Sequence, residues 1–104
     1  MLPERTDLEL RELFQTLKAS WKNSTCYYSS TTQICMNEDY QRIIGLGPRV
    51  LPLILEDLEK GVEFWMWALR ALTGENPIHP EDRGDMEMMR SAWLHWARDN
   101  GYLT

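Results

Sequence analysis

The sequence predicts an all-α domain, about five helices in a compact bundle. Apolar residues recur at helical spacing in one segment after another, and capping or turn residues bracket those segments. Residues 41–73, QRIIGLGPRVLPLILEDLEKGVEFWMWALRALT, hold two apolar helical segments, with one turn signal before them and one between. Two short helices with apolar faces on more than one side cannot stand alone, so this hairpin is expected at the centre of the bundle. The 104 residues fit a single domain, 1–104, long enough to bury a core without metal or disulfide staples. Five tryptophans supply much of that core, since each buries a large area.

The elements follow in order. Thr6-Asp7-Leu8-Glu9 is a capping box, in which the threonine oxygen takes an early helix amide and the glutamate returns to the cap amide. The helix it opens places Leu10, Leu13, Phe14, Leu17 and Trp21 on one stripe, with Arg11, Gln15, Lys18 and Lys22 on another face, and is expected to end near Asn23. Between Ser20 and Thr32 nine of thirteen residues carry a hydroxyl, and such side chains compete for backbone partners; residues 24–36 therefore read as a loop with room for one short helical turn. Asn37 reads as a cap, followed by acids in the first turn and a short helix over 38–45. Gly45-Leu46-Gly47-Pro48 is a turn, and Pro48 suits the start of a third helix over 48–60, with Leu51, Ile54, Leu55 and Leu58 on its inner face. Gly61 ends it. The fourth helix, 62–73, carries charge only at Glu63 and Arg70, so burial on nearly all sides is expected. Residues 75–84, ENPIHPEDRG, are a loop, and a last helix over 85–99 repeats Met86, Met89, Trp93, Trp96 and Ala97 on one face.

Leu46-Gly47, Leu51-Pro52-Leu53, Ala68-Leu69 and Ala71-Leu72 resemble the paired helices of a HEAT-type repeat. The resemblance implies a HEAT-like helical hairpin at the centre of the fold. Trp65 and Trp67 depart from it, because such repeats prefer small residues there, and one hairpin falls short of the roughly three repeats a solenoid needs. From Trp21 onward the chain also resembles a group of short bacterial and phage proteins sharing Tyr-Gln-Arg-Ile-Ile-Gly, Leu-Pro-Leu-Ile-Leu, Trp-Ala-Leu-Arg-Ala and Thr-Gly-Glu-Asn-Pro. That implies a bacterial or phage origin and a shared fold, and it carries no site.

Charge and cysteine usage exclude some functions. A net charge of −5 opposes general binding to nucleic acid or to anionic membranes. Residues 10–50 carry five basic and three acidic side chains, whereas 51–104 carry ten acidic and five basic. Cys26 and Cys35 match no zinc or redox spacing, Met1 runs directly into charged residues, and no apolar run approaches the ~18 residues of a membrane span. A cytoplasmic protein with both thiols reduced is expected.

No catalytic residue set stands out. His79 lies in the 75–84 loop and His95 beside the Trp93/Trp96 face, and nothing in the sequence pairs either with a nucleophile. Glu81, Asp82 and Asp85 lack the alternation of a calcium loop and read as capping and solvation. No catalytic residue, cofactor or metal ligand is assigned.

The hydroxyl-rich loop is the first candidate working surface, with Tyr27, Tyr28, Ser29 and Ser30 and with Lys18, Lys22 and Arg42 nearby. The second is the last helix, where Met88, Ala92 and Leu94 fall outside the main stripe and would form an apolar patch for a partner or a second copy. The expected function is a non-catalytic protein-interaction module, a small accessory or antitoxin-like subunit that binds a larger bacterial protein or self-associates. The alternatives are nucleic-acid contact through the basic stripe of the first helix and the hydroxyl loop, which the net charge disfavours, and a small enzyme using the histidines. No membrane partner is expected.

Overall fold

A computed structural model of the chain describes residues 6–27, 30–61 and 64–103. Among the described residues the fold is all-α, with no strand. The helices are α1 (Asp7–Thr25), α2 (Thr31–Cys35), α3 (Glu38–Gly45), α4 (Leu51–Lys60), α5 (Met66–Thr73) and α6 (Met86–Asp99), and single 3-10 turns occupy Pro48–Val50 and Pro80–Asp82. The chain forms two compact units, Met1–Val50 and Leu51–Thr104. No described helix is long and apolar enough to cross a membrane.

In Met1–Val50, α1 begins at the capping box: the Glu9 amide donates to the Thr6 hydroxyl at 3.1 Å. The glutamate closes the box on that same hydroxyl, which donates to Glu9 Oε1 at 3.1 Å, rather than on the Thr6 amide. Leu10, Phe14, Leu17 and Trp21 are buried as the stripe requires, and α1 packs chiefly on α3. The helix runs to Thr25, past the expected end at Asn23, because Thr25 continues the buried stripe and donates its hydroxyl to the Trp21 carbonyl at 2.8 Å. Here the hydroxyl bonds back to the i−4 carbonyl, an arrangement compatible with helical backbone.

Within the segment expected to be a loop with room for one short helical turn, Thr31–Cys35 form that turn, α2. Ser30 caps it by accepting the Gln33 amide at 3.4 Å, and Ile34 and Cys35 are buried. Two tertiary bonds hold it: the Trp21 indole donates to the Ile34 carbonyl at 2.8 Å, and Gln41 Nε2 donates to the Cys35 carbonyl at 2.8 Å. Asn37 Oδ1 then accepts the Asp39 and Tyr40 amides, and α3 occupies the predicted residues with Tyr40 and Ile43 buried. The Trp21 and Tyr40 rings meet at 5.0 Å.

In Leu51–Thr104, α4 buries Leu51, Leu53, Ile54, Leu55 and Leu58, as well as Asp57. Burial of that carboxylate is compensated by the Trp65 indole, which donates to Asp57 Oδ2 at 2.8 Å. Arg90 of α6 closes the C-terminal end of α4, donating from Nε to the Leu58 carbonyl at 2.7 Å and from Nη2 to the Glu59 carbonyl at 2.6 Å. A cation there meets both the unpaired carbonyls and the negative end of the helix dipole.

Helix α5 corrects the expectation of an all-round apolar helix. It begins at Met66 rather than 62, and residues 62 and 63 of the expected helix lie outside the described residues. Trp65, Ala68 and Leu69 face inward, while Trp67, Arg70 and Ala71 face out, with Trp67 52% exposed. Apolar content alone did not reveal that the 65/68/69 spacing selects one inner face. Helix α6 buries Trp93, Leu94 and Ala97 and ends in a Schellman motif: Gly101, at φ 82°, lets the Tyr102 amide reach the Ala97 carbonyl at 2.8 Å. That turn stacks Tyr102 on Trp96, with ring centroids 5.6 Å apart.

Candidate interaction groove on the last helix

Position 85 starts the site. Asp85 Oδ1 accepts the Met88 amide at 3.1 Å, so the acid read as a cap is one. From this fixed start, Met88, Ser91, Ala92, His95, Trp96 and Asp99 recur at helical spacing along α6, on a side other than its buried Trp93/Leu94/Ala97 face. The preceding loop and its 3-10 turn bring Pro77, His79 and Asp82 opposite them. Together they line a groove of about 400 Å³. Met88, Ala92 and Trp96 give it apolar surface, and Met88 is 47% exposed there. Asp82, Asp99, the two histidines and Ser91 make its polar part.

The polar groups are wet. His95 Nε2 lies 3.3 Å from Asp99 Oδ2, with side chains 79% and 65% exposed, so water screens the pair. Ser91, His95 and Asp99 sit at successive i+4 positions, but Ser91 makes no hydrogen bond to His95 among the described residues, and a nucleophile needs its base within that reach. Among the described residues no three His, Cys, Asp or Glu side chains come together as a metal site. The arrangement offers an apolar surface flanked by acids and hydrogen-bonding groups, which is chemistry for holding a chain segment.

The other predicted residues are scattered. Leu94, expected on the outer surface of the last helix, is only 6% exposed, because it shares the inner face with Trp93 and Ala97; it leaves the candidate set. Met88 stays in it. Tyr28 and Ser29 lie outside the described residues. Tyr27 is exposed, and Ser30 is used as the cap of α2. The basic side chains are engaged within the protein: Arg42 pairs with Glu38 at 3.5 Å, Arg49 with Asp7 at 3.0 Å, and Arg11, Lys18 and Lys22 each have a partner. Cys26 is exposed, whereas burial pushes the Cys35 thiol above its ordinary range, with a hydrogen bond to Tyr40 partly offsetting it.

Sequence reasoning placed His95 beside Trp96 but missed His79, Asp82, Ser91 and Asp99 as their neighbours. For α6 the signal was present: 88, 92, 95 and 99 form a second stripe beside the buried one. For His79 there was none, because its approach depends on the path of the 74–85 loop. Compared with family models, with curated proteins and with solved structures, the chain matches none.

Proposed function

We propose that this protein is a non-catalytic protein-interaction module, a small accessory or antitoxin-like subunit that binds another protein through the α6 groove. The observation that carries the reading is the groove itself, with its apolar surface at Met88, Ala92 and Trp96 set between acidic and hydrogen-bonding groups. Methionine and tryptophan suit such surfaces, one adaptable and the other large. The exposure of the His95–Asp99 pair favours a role in the polar margin over proton transfer in a dry site. The net charge of −5 weighs against a phosphate-binding stripe.

The test is affinity capture from the native cells with the wild-type protein and with Met88→Glu and Ala92→Glu variants, each first shown to keep its helical circular dichroism. A stoichiometric protein retained by wild type through a high-salt wash and lost by both variants supports the reading. A partner retained equally by all three places binding elsewhere, and captured nucleic acid released by salt replaces the reading with the nucleic-acid one.

A further inference from the structure

Charge narrows the occupant of the groove. Asp82 and Asp99 line it from its two sides, and no lysine or arginine is among its lining residues. Glu81, Asp85 and Glu87, all exposed, continue the acidic character around the start of α6. Residues 51–104 hold twice as many acids as bases. Of those bases, Arg90 is spent on the α4 carbonyls and on Glu87, at 3.7 Å, and Arg83 and Arg98, both exposed and next to Asp82 and Asp99 in the chain, are not among the lining residues. An acidic margin of this kind attracts positive charge over a Debye length of roughly 10 Å at ordinary salt and repels phosphate backbones and anionic lipid. It also repels a second copy of this chain, which would set Asp82 and Asp99 against the same acids.

Resting on the reading of the groove as a protein-binding surface, we propose that its occupant is a cationic amphipathic segment of another protein. One or two apolar side chains of that segment sit on Met88, Ala92 and Trp96, and flanking lysines or arginines face Asp82 and Asp99. The apolar surface supplies affinity by burial, and the carboxylates supply orientation and encounter rate. Ser91 has no hydrogen bond among the described residues and is open to the segment's backbone or side chains.

The test uses the full chain and designed amphipathic peptides that share one leucine–tryptophan stripe, one carrying Lys/Arg on its polar positions, one Gln and one Glu. Binding is read by anisotropy of the labelled peptide and located by the NMR signals of the Met88 and Ala92 methyl groups. The expected result is that the cationic peptide binds and moves both methyl signals. The Asp82→Asn/Asp99→Asn protein, with unchanged circular dichroism, should bind it about tenfold more weakly, and the glutamate peptide should leave the methyl signals in place. If the neutral or acidic peptide binds the groove as well as the cationic one, the charge inference is wrong while the interaction surface stands. Failure of every peptide to move the methyl signals overturns the cationic occupant, and the affinity capture then decides separately whether the groove binds protein at all.

Discussion

Trp21 and Trp93 are both buried, yet their indole N–H groups meet opposite fates. In Met1–Val50, Trp21 donates to the Ile34 carbonyl at 2.8 Å and thereby fastens a hydroxyl-rich segment into a helical turn. In Leu51–Thr104, Trp93 has no hydrogen-bond acceptor among the described residues, and its ring meets Trp96 edge-on at 5.4 Å. The first unit uses its single tryptophan to join chain segments. The second uses Trp65 and Trp93 as core and turns Trp67 and Trp96 toward its surface. Aromatic area beyond what the core requires suits an interaction surface, and Trp96 is the part of it that lines the groove on which the proposed function rests.

The largest effect that bears on this contrast is expected at Trp65, the tryptophan of the second unit that is both buried and hydrogen-bonded. Trp65→Ala should lower unfolding stability by about 3–5 kcal/mol, the usual loss for a large buried aromatic. Asp57→Leu should cost about 1–3 kcal/mol, because it leaves the indole donor without its acceptor. Denaturant unfolding followed by circular dichroism measures both. A loss under about 1 kcal/mol for Trp65→Ala contradicts its place in the core.

A pair of smaller changes sharpens the comparison directly. Trp21→Phe and Trp93→Phe remove similar ring volume, but only the first removes a made hydrogen bond and strands the Ile34 carbonyl. Trp21→Phe should therefore be the more destabilising by about 1 kcal/mol. Equal losses in the same unfolding experiment would mean that the Trp93 donor is satisfied in solution, and the contrast between the units would fail.

These sites also mark what was legible in the sequence. Helix α3 matches its predicted bounds, and α1 and α6 are close to theirs, because cap, first-turn acids and apolar period lie within the segment itself. Helix α2 was legible only as room for one turn. Of its five residues Ile34 is the single large apolar one, and what holds them is Trp21 and Gln41 reaching in from α1 and α3. The groove was half legible: the second stripe of α6 is periodic, while His79 and Asp82 join it through a loop whose path no local rule sets. Composition misled at α5, where the apolar count predicted burial that only the register of individual residues could decide.

The smallest expected effect tests that register. Trp67 shares the outer face of α5 with Arg70 and Ala71 and is 52% exposed, so half of its area is already in water when the chain is folded. Replacing it with glutamine, which has comparable or better helix propensity, should change stability by no more than about 0.5 kcal/mol. The Trp65 and Trp67 substitutions then differ several-fold although the residues are two positions apart, as one inner and one outer face of a helix require. A loss approaching that of Trp65→Ala would mean that α5 is enclosed on all sides after all. It would also remove Trp67 from the surface aromatics that set the second unit apart.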